Sequence, residues 1–464
     1  MSEVSIAFLG AAGTVTGSRF LLTCGETKVM VDAGLFQGIK ALRERNWEPL
    51  EVDASSLSAV VITHAHLDHC GYIPRLVKDG FKGKIYLTEY TGKLAEVILL
   101  DSARIQVEDA KYAQKKGFSK HEPPLPLYDE DDASKAITKF HSVNFRERVE
   151  IAQETSITFQ PAGHILGAAS VEIDFFGKRF LFSGDLGRPD HPLLVAPDPI
   201  PAGHFDAIIT ESTYGDREHL DAESNLAQII TSTIARGGSV LIPAFAVDRT
   251  EVLLVELREL IEGGEIPSVP VYADSPMALR ALEYYREAIR GNSPEIRQEV
   301  LGQKLISDPF DAGNLVELKS VEESMSINKP TEPCIIISAS GMATGGRVVH
   351  HLAHMLAIPS HTIVLVGYQA MGTRGRFLLE GAEYVKMHGK EIPVKAQIEQ
   401  INSFSVHADA SEILDWLATA TEPPARLFIV HGEEDSSESL RQRAKAQLGW
   451  NCLVPKDNQI FNLD

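Results

Sequence analysis

Three histidines and one aspartate fall within six positions of the stretch Thr63-His64-Ala65-His66-Leu67-Asp68-His69-Cys70. The stretch directly follows the apolar run Leu57-Ser58-Ala59-Val60-Val61-Ile62, which reads as a buried strand. These side chains therefore stand where a strand gives way to a loop. His64 and His66 are two apart, so in extended chain they point the same way. Asp68 and His69 follow where the chain turns, before Gly71-Tyr72-Ile73-Pro74-Arg75-Leu76 begins a helix. Two histidines can grip one metal while Asp68 and His69 reach a second close by. Neutral imidazole and carboxylate are ligands that suit zinc. A merely polar, histidine-rich loop does not account for four ligand-type side chains at one strand end.

The same arrangement recurs along the chain. Lys28-Val29-Met30-Val31 delivers Asp32, a candidate carboxylate beside the metals. Ser156-Ile157-Thr158-Phe159 delivers His164 after Pro161-Ala162-Gly163. Phe180-Leu181-Phe182 leads to Asp185, and Ala207-Ile208-Ile209-Thr210 leads to Glu211. In the tail, His407 precedes a helix, and Arg426-Leu427-Phe428-Ile429-Val430 ends in His431. Taken singly, each of these is also an ordinary core or turn residue. Apart from His407, their common position after buried strands is what singles them out.

Those strands need a scaffold of a particular size. At 464 residues the chain exceeds one ordinary core, so two or three domains are expected. A hydrophobic fraction of 44% is that of a globular protein. No apolar stretch is long enough to span a membrane, and Met1-Ser2-Glu3-Val4 lacks the start of a signal peptide, so a cytoplasmic protein without membrane partners is expected. Cys24, Cys70, Cys334 and Cys452 are far apart and form no C-x-x-C pair, so neither a disulfide framework nor a thiolate zinc site is implied. The net charge of −20 argues against non-specific coating of nucleic acid, but metal ions and a few arginines still permit a local positive cleft.

The opening Gly10-Ala11-Ala12-Gly13-Thr14-Val15-Thr16-Gly17 is not a dinucleotide loop, because more strand follows it rather than a helix. Residues from about 90 to 145 read as mostly helical, broken at Glu122-Pro123-Pro124-Leu125-Pro126. After Glu211 the pattern changes to alternating helices and short apolar strands, which indicates a parallel sheet covered by helices. The expected division is residues 1–211 with 391–464 as one discontinuous domain, and 212–390 as an α/β insertion.

Taken together, these residues resemble the metallo-β-lactamase superfamily. Within it they resemble the β-CASP nucleic-acid-processing branch, of the cleavage-and-polyadenylation endonuclease type without KH domains. The ordered motifs are Asp32, His64-x-His66-x-Asp68-His69, His164, Asp185, Glu211 in Glu211-Ser212-Thr213-Tyr214-Gly215, His407 and His431. The stretches Pro243-Ala244-Phe245-Ala246-Val247-Asp248-Arg249-Thr250, Asp274-Ser275-Pro276-Met277-Ala278 and Ser338-Ala339-Ser340-Gly341-Met342 belong to the same likeness, which runs from about residue 5 to 435.

The resemblance implies an αββα sandwich with an inserted β-CASP domain. It also implies two zinc ions, or manganese in the cell: His64, His66 and His164 on one, Asp68, His69 and His431 on the other, and Asp185 between them. Two such ions support in-line phosphodiester hydrolysis. His407 would be the general acid, oriented and kept protonated by Glu211, with Asp68 and Asp32 also counted in the catalytic group. His431, where DNA-processing members carry an aliphatic residue, points to RNA. The resemblance thus implies a ribonuclease acting on single-stranded RNA between the two domains, leaving 5′-phosphate and 3′-hydroxyl ends, as a homodimer. No appended RNA-binding module is read from the sequence, which implies modest sequence specificity.

Candidate substrate contacts are the Gly-rich loop with Ser338, Ser340 and Gly341, and Arg249, Arg374 and Arg376. The loop also fits a plain strand–helix turn. His350 and His354 lie four apart on an expected helix with no carboxylate to complete a third metal site, so a solvated face is preferred. Two other readings remain open: a hydrolase of a small thioester, lactone or lactam, and an RNA-complex scaffold with an inactive site.

Overall fold

The apolar runs become strands closed to solvent, in a computed structural model that describes residues 3–116, 125–219, 225–303, 308–367, 369, 371–401 and 404–463. The chain forms two compact units: Met1–Glu218 with His407–Asp464, and His219–Val406.

The first unit is built on two seven-stranded sheets. One runs in the order Gln459–Leu463, Val4–Phe8, Phe20–Cys24, Thr27–Val31, Ala59–Val61, Lys84–Leu87, Phe140–Ser142. The other runs Cys452–Leu453, Arg426–Ile429, Ala207–Thr210, Lys178–Phe182, Ala169–Phe175, Thr155–Pro161, Arg148–Ala152. Side chains alternate across each strand. Phe8, Phe20, Val31 and Val61 therefore meet Phe159, Val171, Phe182 and Phe428 in one core between the sheets. The opposite face of the second sheet offers Leu181, Ile208, Leu427 and Ile429 to Ile413, Leu414 and Trp416 of helix Ala410–Leu417 and to Leu440 of helix Glu434–Leu448. Met30, Val60 and Ile85, on the outer face of the first sheet, are equally buried, and helix Glu89–Lys116 packs on the edge strand Phe140–Ser142. This is the expected αββα sandwich. The two chain ends close it, because Val4–Phe8 pairs antiparallel with Gln459–Leu463.

The second unit holds a six-stranded sheet in the order Leu315–Glu317, Val271–Asp274, Ile335–Ser338, Val240–Pro243, Thr362–Val366, Gln397–Ile401, with every pair parallel. Parallel strands are covered on both faces, which is why Ile335-Ile336-Ile337 reads as an unbroken apolar run. On one face Leu241, Ile336, Ile363 and Leu365 pack against Val348, Leu352 and Met355 of helix Arg347–Met355.

Three details differ from the sequence reading. The segment expected to be helical to about 145 ends in strand Phe140–Ser142, which completes the first sheet. Residues 122–124 of its Pro-rich break lie outside the described residues. The compact units divide at 218/219 and 406/407 rather than at 211/212 and 390/391. The physical cause at the second boundary is strand Gln397–Ile401, which pairs along its whole length with Thr362–Val366. At the first, Ser212 is tied to the tail: its hydroxyl donates to the Val430 carbonyl at 2.7 Å. Among the described residues, no helix is long and apolar enough to cross a membrane.

Candidate metal centre

The ligand-rich stretch after strand Ala59–Val61 is held by its backbone. The Ser18 amide donates to the Asp68 carbonyl at 2.9 Å, Ala33 to His69 at 2.7 Å and Leu35 to Leu67 at 2.8 Å. Gly34 is required by this approach, since a Cβ there would lie 1.6 Å from the Asp68 carbonyl oxygen. His164 sits on a second constrained turn: Gly163 has φ +65°, and a side chain there would come within 2.4 Å of the Val195 carbonyl. His431 is fixed by its amide, which donates to the Ala11 carbonyl at 2.7 Å. The glycine-rich opening loop thus serves as a backbone support for a histidine of the site.

These turns gather two clusters. In the first, His66 Nδ1 lies 3.1 Å from His64 Nε2 and 3.2 Å from His164 Nε2. Asp185 Oδ2 stands 3.5 Å from His64 Nε2 and 3.7 Å from His164 Nε2. Four donors at about 2.0–2.1 Å from one tetrahedral ion stand about 3.3 Å apart, so this spacing and donor set fit such an ion. In the second, His69 Nε2 and His431 Nε2 are 2.9 Å apart, and His431 Nε2 is 3.5 Å from Asp68 Oδ2. The other oxygen of Asp185, Oδ1, lies 3.2 Å from His69 Nε2. Asp185 therefore turns one carboxylate oxygen to each cluster. Every ligand expected from the sequence is among the residues brought together.

Burial and charge act against each other here. Burial, then the neighbouring His69, hold His64 well below the usual imidazole range, and burial lowers His66 as well. Burial also opposes charge on His69, yet Asp185 and Asp32 outweigh it and raise that imidazole well above its ordinary value. The same contest at Asp185 ends with its carboxyl well below the usual range, because His431, His69 and His64 outweigh burial.

Asp32 ends strand Thr27–Val31 with φ +57° and is 1% exposed. Its Oδ2 meets His69 Nδ1 at 2.8 Å, and its Oδ1 accepts from the Thr63 amide at 2.8 Å. With both oxygens so engaged, Asp32 orients His69 and faces no cluster directly.

His407 adjoins this centre through a bridge to Gly187 and an Ala408 amide bond to Leu186 at 2.8 Å. Its Nδ1 lies 3.2 Å from Glu211 Oε2 and 3.9 Å from Asp185 Oδ2. Burial works to lower this imidazole, but Glu211 and then Asp185 raise it above its ordinary value. At 19% side-chain exposure it is partly open, as is His66, whereas His64, His69, His164 and His431 are closed to solvent.

The expected substrate contacts in the second unit fare differently. Ser338 is buried and its hydroxyl donates to the Asp274 carbonyl at 2.9 Å. Arg249 is 5% exposed, so its guanidinium is buried. Arg374 donates to the Ala343 and Thr344 carbonyls at 3.0 Å and so shapes the Gly-rich loop from behind. Ser340 is partly open, with its hydroxyl 3.0 Å from that of Thr344, while Gly341 is buried against Phe245. Arg376 is exposed and pairs with Glu380 at 2.7 Å. His354 Nδ1 lies 2.8 Å from the His350 carbonyl, and His350 stacks on His388; neither joins a metal-ligand cluster among the described residues.

Two residues escaped the sequence reading. Thr63 contacts Asp32 and His64, and Thr213 contacts Glu211 and His431. The available signal was adjacency, since Thr63 precedes His64 and Thr213 follows Glu211 by two.

An αββα sandwich with two adjoining histidine–carboxylate clusters at its strand ends has the makings of a metallo-hydrolase. Family comparison agrees: residues 14–226 match the metallo-beta-lactamase superfamily, 250–378 the Beta-Casp domain, and 391–455 the Zn-dependent metallo-hydrolase RNA specificity domain. The chain is 35% identical to "Ribonuclease TTHA0252" of Thermus thermophilus, over 92% of each chain. It is 32% identical to "RNase J-like protein" of Methanocaldococcus jannaschii, over 89% of this chain and 90% of that one. "Cleavage and polyadenylation specificity factor 73" of Drosophila melanogaster is 28% identical, over 98% of this chain and 63% of that one. A solved structure of a protein of unknown function from Enterococcus faecalis V583 shares the fold alone, with a TM-score of 0.55 at 12% identity over 100% of both chains. The chain belongs to the metallo-β-lactamase superfamily, in its β-CASP branch of RNA-processing nucleases.

Proposed function

We propose that the protein is a two-zinc ribonuclease that hydrolyses phosphodiester bonds of single-stranded RNA and leaves 5′-phosphate and 3′-hydroxyl ends. The observation that carries this reading is the Asp185 carboxylate, with one oxygen toward each donor cluster, beside the His407–Glu211 pair. His64, His66 and His164 would hold one ion, and Asp68, His69 and His431 the other, with Asp185 shared. Two such ions supply an activated nucleophile and stabilise the charge of an in-line displacement.

The chain's own residues do the rest. His407 is poised to give a proton to the departing 3′ oxygen as its bond to phosphorus breaks, since Glu211 and Asp185 favour its protonated form. Glu211 keeps that ring oriented through its contact at Nδ1. Asp32 would act on the ions through His69, and Asp68 would hold one directly. Ser340, the backbone at Gly341 and Arg376 remain candidate RNA contacts. Ser338, Arg249 and Arg374 are better read as supports of the second unit, given their burial and bonds. Manganese fits the same ligands. A homodimer in the cytoplasm is the expected setting.

The test uses 5′-end-labelled single-stranded RNA with zinc-loaded protein and its His407→Ala variant. Internal fragments or released mononucleotides from the wild type alone support the reading and reveal the mode of attack. If neither protein cut while both held two zincs, RNA hydrolysis would be abandoned in favour of small esters.

A further inference from the structure

A neutral imidazole has one N–H and one lone pair, and a ligand must turn the lone pair to the ion. A metal-binding histidine therefore hands its other N–H to an acceptor. For His69 that acceptor is Asp32 Oδ2, 2.8 Å from Nδ1. His64 and His431 have no carboxylate so close to Nδ1. Each has a threonine instead. Thr63 Oγ1 lies 3.1 Å from His64 Nδ1, and Thr213 Oγ1 lies 3.2 Å from His431 Nδ1.

A hydroxyl carries a single hydrogen, so where it goes decides the rest. Thr63 Oγ1 is 2.9 Å from Asp32 Oδ2, and Thr213 Oγ1 makes a short bond to Glu211 Oε2. Each carboxylate is otherwise met by donors: Asp32 by the Thr63 amide, Glu211 by the Leu186 amide. A bond to a carboxylate is stronger than one to a neutral carbonyl, and the competing acceptor for Thr213, the His431 carbonyl, is 3.3 Å away. Both threonines thus donate to their carboxylates and keep only lone pairs for the imidazoles.

We propose that Thr213 is a positioning residue that keeps the hydrogen of His431 on Nδ1, so that Nε2 presents its lone pair to the second cluster, and that Thr63 does the same for His64 in the first. The two clusters then share one device, carboxylate–threonine–imidazole: Asp32–Thr63–His64 and Glu211–Thr213–His431. Each carboxylate also orients a further imidazole, His69 for Asp32 and His407 for Glu211. Through Glu211, Thr213 ties the proposed proton donor to a ligand of the second cluster.

This inference rests on the two-ion reading, and the experiment separates their failures. Wild type, Thr213→Val and Thr213→Ser are titrated with a chromophoric chelator to obtain the two zinc dissociation constants of the full chain. Valine keeps the shape of threonine without its hydroxyl; serine keeps the hydroxyl. T213V is expected to weaken one site by about 10–100-fold and leave the other within about twofold, whereas T213S stays near wild type. Equal affinities in T213V and wild type would overturn the relay, as would a T213S loss as large as that of T213V, which would mark a packing role. A wild type holding fewer than two ions would remove the two-ion reading itself. Should T213V not fold, Thr213→Ala is read against T213S in the same way.

Discussion

Asp185 in the first unit and Asp274 in the second are both buried at strand ends with histidines beside them, yet their surroundings are opposite in kind. Asp274 is matched group for group. Arg347 Nη1 meets Oδ1 at 2.6 Å, and His351 Nε2 and Ser324 Oγ meet Oδ2 at 2.6 Å. Asp185 has more imidazoles around it, but at 3.2–3.9 Å, and those imidazoles face one another at 2.9–3.2 Å. In the first arrangement both carboxylate oxygens are held in direct hydrogen bonds. The second has ligand-to-ligand spacing. Buried histidine and aspartate together therefore do not mark a metal site; the balance of donors and acceptors between them does.

The sharpest way to break this contrast is Asp185→Ala. It removes an oxygen from each cluster, so bound zinc should fall below two per chain by elemental analysis and RNA cleavage should drop to background. An unchanged zinc count would end the bridging assignment. His407→Ala, which removes no proposed ligand from either cluster, should keep both zincs and lower kcat by about 10²–10⁴-fold. Parallel loss of metal would make His407 a ligand instead.

Asp274→Ala should do the reverse. It leaves the Arg347 charge and His351 without their partner and costs about 3–5 kcal/mol in denaturant unfolding, with zinc content unchanged. A loss of zinc without a loss of stability would erase the distinction between the two aspartates. The smallest effect is in acid. Burial opposes ionisation of Asp274, but bonds from His351, Ser324 and Arg347 hold its carboxyl below the usual range. Its folded value is thus lower than the unfolded value of about 3.9. The extra stability is present above that value and is lost as pH falls through the folded one. Asp274→Asn should flatten this acid limb in thermal unfolding followed below about pH 4.

The site was legible to the extent that its residues share a local rule. Asp32, His64, His164, Asp185, Glu211 and His431 each follow a buried strand, and strands announce themselves by apolar runs. The parallel second sheet and the strand-end positions of the candidate ligands could therefore be read from order and periodicity, with the family resemblance supplying the αββα class and the proposed sharing of ions. Hydrogen-bond partnership follows no such rule. Ser338 and Arg249 looked like substrate contacts but are buried, and Arg374 is bound to loop carbonyls 30 and 31 residues away. The unit boundary depended on which neighbour strand Gln397–Ile401 chose. Thr213 meets His431 across 218 positions. Local sequence determined where strands end and which ligand-type side chains stand there, because burial and backbone periodicity are set within a few residues. Only the tertiary structure decided which lone pair faces which hydrogen, because those partners are brought together by packing the sheets.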